Sequence, residues 1–371
     1  MHLSNFFEEI SNQLNTGLPF VAYRKPKTLS IKAVLQENDN IFYVEDYTEK
    51  GFVFAPFDNK EDSILIPLNH SKIIKTEHIF SNAIEKVQDE YLDDELAKKQ
   101  HINIIKKAMC EIETNLLLKV VISRKEKIAI KNSNPIEIFK RLLNKYKDAL
   151  VYCWYHPKVG LWLGATPETL LKLEGNRFST MALAGTQIFK DDSEVKWGDK
   201  EIEEQQFVTD FITRRLNSLT NTLTMSRVKT VKAGSLLHLR TDISGLFKKE
   251  SGLEHLISVL HPTPAVCGLP MKIAKSFVLQ NENYKREFYT GFLGELNLET
   301  ELTSRSSKRN IENRAYTIKK NQTELFVNLR CMQLQDKNAI LYIGGGITKA
   351  SIPEKEWEET VSKSLIMKTV L

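Results

Sequence analysis

Hydrophobic positions along this chain fall mostly into short β-prone runs, and helical periodicity is confined to a few longer stretches. After a short opening helix, Phe20–Tyr23, Ser30–Leu35 and Asn40–Val44 read as strands separated by Lys-Pro, Asn-Asp and Gly signals. From Thr76 to about Leu116 the pattern turns helical, with Ile102, Ile105, Met109 and Ile112 as an apolar stripe in a Glu-, Asp- and Lys-rich background. Its polar part, from about 85 to 100, reads as a linker. Residues 1–95 are thus expected to be a β-rich N-terminal part of the same lobe-like body, and 96–371 the main domain.

Leu116–Ile122 reads as a strand buried on both faces, with Lys119 in its middle. Such a lysine either snorkels to water from a strand edge or stays desolvated, and a desolvated amine is a candidate general base. Asn134-Pro-Ile-Glu-Ile-Phe opens a capped helix running to about Tyr146, and Leu150–Tyr155 is a strand. Gly160–Glu168 ends a strand in a Thr-Pro-Glu corner. Thr169–Leu173 and Arg177–Leu183 form a hairpin leading into Ala184-Gly-Thr186, a bend that either holds a carboxylate on its amides or simply closes the hairpin. Lys200–Leu219 is helical, with Glu201, Glu203 and Glu204 in its first turns, where the helix dipole favours acids in any case. Val231–Ile243 carries His238 in an apolar run, the usual setting of a hydrogen-bonded core histidine. Leu260–Pro270 is a loop too apolar for a linker, a helix follows, and Tyr289-Thr-Gly leads into a further strand. Leu325–Leu334 reads as a strand carrying Arg330, whose guanidinium calls for a carboxylate partner.

Near the end, Ala339–Ile343 reads as a buried strand, and Gly344, Gly345 and Gly346 as a turn that lets backbone approach a ligand. Ser351 with Glu354 has the form of a capping box, and Pro353 suits a first helical turn. On that helix Glu356, Glu359 and Lys363 share one face. Two carboxylates and an ammonium beside glycines suit a hard cation with an anionic ligand next to it. The plainer alternative is a solvated Glu359–Lys363 pair, with Trp357, Val361 and Leu365 packing the other side.

Composition narrows the classes. With 371 residues, 42% of them hydrophobic, the chain can bury a large core. Its 52 basic and 47 acidic residues are interspersed, and the net charge of +5 forms no basic arm, which argues against nucleic acid and suits a small anionic substrate. Cys110, Cys153, Cys267 and Cys331 are far apart and read as reduced thiols. Met1–Leu14 lacks the order of a signal peptide, and no apolar run approaches membrane-spanning length. A cytoplasmic protein without a membrane partner is expected.

Taken in order, Lys119-Val-Val-Ile-Ser-Arg124, Ala165-Thr-Pro-Glu168, Leu183-Ala-Gly-Thr186, Lys200-Glu-Ile-Glu-Glu204, Leu260-His-Pro-Thr-Pro-Ala-Val266, Tyr289-Thr-Gly, Leu329-Arg330 and the closing Gly-rich and Glu-x-x-Glu segment resemble the chorismate-utilising enzymes. That family comprises isochorismate, salicylate, anthranilate and aminodeoxychorismate synthases. The resemblance covers about residues 96 to 371, making that part a chorismate-binding catalytic domain. It implies an α+β fold of two large packed β-sheets with helices outside, in α/β/β/α layers.

The resemblance also implies roles. Lys119 matches the base that activates water and Glu168 the general acid. Glu204 and Glu359 match Mg²⁺ ligands, with Glu356 beside them. Tyr289 and Arg330 match the clamp on the enolpyruvyl carboxylate; Gly185, Thr186, Gly344 and Gly346 cradle substrate; Lys363 and His238 line the site. A lysine at the position of Lys119 goes with water as nucleophile, whereas anthranilate synthases have Gln there. With the His261-Pro-Thr-Pro loop, this favours isochorismate as product, salicylate synthase being the alternative. The implied pathway is menaquinone or, alternatively, siderophore synthesis. A monomer without a glutamine amidotransferase subunit is expected. Gln205 and Gly345 depart from the common His and Ala of the family. From a different class, a non-catalytic anion-binding protein would use the glycines alone, and would leave Lys119 and Glu168 without a purpose.

Overall fold

The segment Leu-Val-Tyr-Cys-Trp-Tyr-His at Leu150–His156 is apolar at consecutive positions because its strand is covered on both sides. Leu150, Tyr152 and Trp154 enter one layer of the core, Val151 and Cys153 another. The computed structural model describes residues 1–78, 94–130, 134–189, 195–233, 236–302 and 318–371. Among these, the strands form two antiparallel sheets.

The first sheet contains β1 (Phe20–Arg24), β2 (Ser30–Gln36), β6 (Ser71–Glu77), β7 (Lys119–Ala129) and β8 (Leu150–His156). It is completed by β9 (Gly160–Thr166), β15 (Gly268–Leu269), β18 (Cys331–Gln335) and β19 (Asn338–Ile347), in the order β15-β7-β19-β18-β9-β8-β1-β2-β6. The second contains β3 (Phe42–Tyr43), β4 (Gly51–Ala55), β5 (Ile64–Pro67), β10 (Thr169–Glu174) and β11 (Arg177–Ile188). To these it adds β12 (Thr220–Met225), β13 (Lys229–Ala233), β14 (Leu236–Phe247), β16 (Phe292–Leu302) and β17 (Ile318–Val327). Its order is β12-β14-β11-β10-β17-β16-β4-β5-β3, with β13 also on β14.

Aromatic side chains fill the space between the sheets: Phe52 and Phe54 from one, Tyr152, Trp154 and Trp162 from the other, with Phe288 stacked on Phe54. Helices α1 (Leu3–Asn15), α3 (Pro135–Lys145) and α7 (Pro353–Lys368) cover the outer face of the first sheet. The outer face of the second is covered by α4 (Asp199–Asn217) and α5 (Leu253–Leu260), while α2 (Glu95–Glu113) and α6 (Met271–Asn281) pack around β7. This is the α/β/β/α layering of the expected α+β fold. No helix among the described residues is long and apolar enough to cross a membrane.

Several local expectations are corrected. The stretch from Thr76 is not helical at its start: β6 continues to Glu77, with Ile74 and Thr76 inward, and α2 begins at Glu95 with Asp94 accepting from the Ala97 amide. Residues 79–93, with the first part of the predicted linker, lie outside the described residues. Lys119 does not sit mid-strand but opens β7; Leu116 and Leu118 are about half exposed in the turn out of α2, where Asn115 has positive φ. The three glycines form no turn, since β19 runs through them and pairs Gly344, Gly345 and Gly346 with Ser123, Ile122 and Val121. Ser351 does not cap α7: Ile352 holds that position without a side-chain bond, and the Ser351 hydroxyl accepts from the Thr348 amide instead.

Arg330 lies in no strand. β17 ends at Val327 in the second sheet and β18 starts at Cys331 in the first, so Asn328-Leu-Arg330 is a crossing between sheets, with Arg330 at φ +48°. Thr166-Pro-Glu168 crosses the other way, from β9 to β10. The two crossings are laced together: Ala165 N donates to Arg330 O at 3.0 Å, Val327 N to Glu168 O at 3.0 Å, and the Thr166 hydroxyl to Val327 O at 2.5 Å. A third corner, Tyr289-Thr-Gly291, joins them through Thr290 N to Asn328 O and Asn328 N to Gly291 O. Asn328 is fully buried; its amide donates to Phe288 O at 2.9 Å and accepts from the Tyr152 hydroxyl at 2.6 Å.

Removing that amide strands two buried polar groups, each costing on the order of 1–3 kcal/mol. Asn328→Ala is therefore expected to lower stability by about 2–4 kcal/mol in urea unfolding. Adding Tyr152→Phe should cost less than its effect in the wild-type background, because the hydroxyl it removes is already unpartnered. Strict additivity would show that the two side chains do not depend on each other.

Candidate active site

Six regular elements and the laced corners bring the chemistry to one cavity. β7 supplies Lys119, α4 supplies Lys200 and Glu204, α7 supplies Glu359 and Lys363, and the laced corners supply Glu168, Tyr289 and Arg330. β11 and β14 add Gly185, Thr186 and His238, and β19 adds Gly344 and Gly346. Every site residue expected from the sequence lines this cavity except Lys119 and Glu356, which stand just behind its wall. Lys119 is fully buried, with Nζ 2.7 Å from Glu204 Oε1.

The glycines are explained by that crowding. A Cβ on Gly346 would come 2.5 Å from Glu204 Oε1 and 3.1 Å from Lys119 Cε, and one on Gly344 would come 2.8 Å from Tyr289 Oη. Both positions must lack a side chain for the acid, the amine and the phenol to converge. Gly345 faces the other way, toward α7. A Cβ there would lie 3.9 Å from Glu356 Oε2 and 4.0 Å from Glu359 Oε1, so the space it leaves empty is bordered by two carboxylate oxygens.

Glu168 is 3% exposed, and burial pushes its carboxyl up to about 8 against the opposing charges of Lys119 and Arg330. It is accordingly protonated at neutral pH. Burial alone would also raise Glu204, but the charge and hydrogen bond of Lys119, with Lys200 and Lys363 behind, outweigh it and hold Glu204 below its ordinary value. Two acids in one cavity thus take opposite protonation states. Burial lowers His238 to about 3, helped by Arg330, so its ring is neutral. Its Nδ1–H donates to Gly185 O at 3.0 Å, which leaves Nε2 to accept from Arg330 Nη2 at 3.1 Å. The carboxylate partner expected for Arg330 is not within the protein: among the described residues no acid lies within ion-pair distance of its guanidinium, whose free donors face the cavity.

On α7 the expected common face is present. Lys363 Nζ lies 2.7 Å from Glu359 Oε1 and donates to Gly344 O at 2.9 Å, so the half-buried pair is tied to the cavity wall. Glu356 is buried, its Oε1 2.6 Å from Lys200 Nζ and its Oε2 without a hydrogen bond of ordinary geometry, although the Ser351 hydroxyl is near enough to favour the charged form. Among the described residues no three acidic or imidazole groups form a finished metal cage. The second Glu356 oxygen, the Glu359 carboxylate and the open space at Gly345 nevertheless fit a small hard cation that keeps most of its waters. Gln205 points away from this region. Its Nε2 donates to Ala182 O and the Thr241 hydroxyl, both at 3.1 Å, which fixes α4 on the second sheet and sets the direction of Glu204.

Two contributors were not singled out from the sequence. Lys200 stood inside the Lys-Glu-Ile-Glu-Glu motif, one turn before Glu204, and that i, i+4 spacing was the available signal. Asn328 had none, since its role exists only where three corners meet.

The family model described as "Chorismate binding enzyme" matches residues 57–302 and 316–371. The chain belongs to the chorismate binding enzyme family. Isochorismate synthase MenF of Escherichia coli K12 is 30% identical over 218 residues, covering 57% of this chain and 45% of MenF. The chain thus aligns with about half the length of the curated relatives it matches first. Among solved structures, a Bacillus anthracis protein described as a 2,3-dihydroxybenzoate-specific isochorismate synthase, DhbC, superposes with a TM-score of 0.74 at 21% identity, covering 98% of this chain and 99% of that one. The structure of E. coli MenF gives 0.73 at 20% identity, covering 95% and 88%. At such identities the superpositions establish the fold of this family member.

The raised Glu168 carboxyl has a thermodynamic signature. Its folded value, about 8, lies above the ordinary 4.5, so between these values the folded state binds more protons than the unfolded one. Stability contributed by this group is fully present below the lower value and is lost as pH rises through the upper one. Relative to Glu168→Gln, the wild type should lose about 2–4 kcal/mol between pH 5 and pH 9. Urea unfolding of both proteins at several pH values checks this, and parallel curves would contradict the raised carboxyl.

Proposed function

We propose that this chorismate binding enzyme is an isochorismate synthase, converting chorismate to isochorismate by attack of water at C2 and loss of the C4 hydroxyl. The observation that carries the reading is that Glu168, whose carboxyl is raised by burial, and the buried Lys119 amine converge on one cavity whose wall also presents the free donors of Arg330. The relatives named isochorismate synthase support the choice of product.

Hydroxide leaves poorly, so a positioned acid is required, and Glu168 gives its proton to the C4 hydroxyl as that bond breaks. Lys119 takes the proton from the water attacking C2, which requires its ammonium to part from Glu204 and shed a proton first. Arg330, oriented by the neutral His238, holds the enolpyruvyl carboxylate with its planar fork, and Tyr289 assists from the adjoining corner. Gly185, Thr186, Gly344 and Gly346 offer close backbone to the ring, and Lys363 adds positive charge at the wall. Mg²⁺ on Glu204 and Glu359, with Glu356 beside them, would neutralise charge that the ring pushes toward its carboxylate.

Incubation with chorismate and Mg²⁺, with products resolved by chromatography, should give isochorismate as the main product and no anthranilate even with ammonium present. Pyruvate released in step with chorismate consumption would move the assignment to salicylate synthase. Lys119→Ala and Glu168→Gln should each lose several orders of magnitude in kcat, and the double variant little more than either alone. Retention of a tenth of wild-type kcat by Lys119→Ala would reduce that lysine to a partner of Glu204. The downstream use, menaquinone or siderophore, is read from which supplement restores growth of a strain lacking the chain.

A further inference from the structure

The three acids assigned to the cation each already hold a lysine: Glu204 with Lys119 at 2.7 Å, Glu356 with Lys200 at 2.6 Å and Glu359 with Lys363 at 2.7 Å. Of the three lysines only Lys200 has no part in the proposed chemistry. It stands on the first turn of α4, and its stem reaches across to α7. Its partner Glu356 is 3% exposed, with the second oxygen, which lacks a hydrogen bond of ordinary geometry, beside the open space at Gly345. We propose that Lys200 is the internal counter-ion of the cation site, neutralising Glu356 until a divalent cation loads and then withdrawing from it.

This rests on the reading of Glu204, Glu356 and Glu359 as the Mg²⁺ site. The reasoning is electrostatic. Glu356 and Glu359 lie one helical turn apart with oxygens bordering a common space, and the buried Glu356 carboxylate is repelled by its half-buried neighbour unless a cation stands between them or beside them. Lys200 supplies that charge in the empty enzyme. An ammonium on Oε1 and a dication at Oε2 of the same buried carboxylate repel each other, so loading weakens the Lys200 bond and drives the lysine off, and metal affinity is reduced by the strength of the bond it breaks. Lys200 also lines the cavity, so the expelled ammonium stays at its wall, where a dicarboxylate would take it up. Metal and anionic substrate then reinforce each other's binding through this one side chain.

The test measures metal binding without turnover. Mn²⁺ is titrated into metal-free wild type, Lys200→Met and Glu359→Gln in the absence of chorismate, with free Mn²⁺ read by electron paramagnetic resonance. Lys200→Met should bind at least roughly ten-fold more tightly than wild type, and Glu359→Gln should lose binding. Equal or weaker binding by Lys200→Met overturns the counter-ion while leaving the metal site standing. No binding by either wild type or Lys200→Met overturns the metal site itself. A second measurement needs no variant: modification of the wild type by an amine-reactive reagent, followed by mass spectrometry, should show Lys200 labelled several-fold faster once Mg²⁺ is added. An unchanged labelling rate at Lys200 alongside demonstrated metal binding rejects the proposal.

Discussion

The hydrogen bonds that lace the Thr166–Glu168 crossing to the Val327–Arg330 crossing are the constraint on which the cavity depends. Each crossing carries the chain from one sheet to the other, and each delivers one charged or acidic group at the point where the chain leaves regular structure. Because the two segments run side by side, Glu168 and Arg330 are fixed relative to each other by backbone, not by their own flexible stems. Asn328 and the Thr290 corner extend the same lattice to Tyr289. Rigid placement of this kind is what lets a buried acid keep its proton: the surroundings cannot relax to solvate a carboxylate.

The remainder of the site is a problem in charge disposal. Three acids and three lysines are packed around strand β19, and each acid is neutralised by one ammonium. The glycines of β19 make this packing possible by removing the side chains that would stand between the groups. Glycine interrupts a strand at a cost of about 0.5–1 kcal/mol per residue, and here the cost is offset by pairing with β7 along the whole run. The same crowding leaves Glu168, beyond the reach of any such ion pair, as the acid that is protonated.

Much of this was legible in the sequence. Strands covered on both faces announced themselves as unbroken apolar runs, and Leu150–His156 is such a case. The shared face of Glu356, Glu359 and Lys363 followed from helical spacing, and the order of short motifs carried the family. What could not be read was long-range. Arg330 sits among Leu, Cys and Met whether its segment is a strand or a crossing, since burial alone gives the same letters. The glycines at 344–346 look like a turn until β7 is known to pair with them. Lys119 looked central to a strand because Leu116 and Leu118 are apolar, although both are exposed in the turn that precedes it. The pairing of each acid with a particular lysine depends on how α4 and α7 meet, which no local pattern encodes.

The lacing of the crossings also bears on when, during folding, the enzyme becomes competent. Glu168 and Arg330 are far apart along the chain, and each strand that flanks them pairs with one neighbour in sequence and one distant strand, the distant pairings being β9 with β18 and β10 with β17. Contacts of such high sequence separation form late, because the loop entropy must be surrendered before the contact repays it. A nascent chain released up to β14 already possesses Lys119, Glu168, Glu204 and His238, yet it has neither the crossing that orients the acid nor the strand that keeps Lys119 and Glu204 together. Lys119 and Glu168, the residues proposed as base and acid, are synthesised early, but Tyr289, Arg330 and Lys363 come later, and the arrangement waits for those later segments.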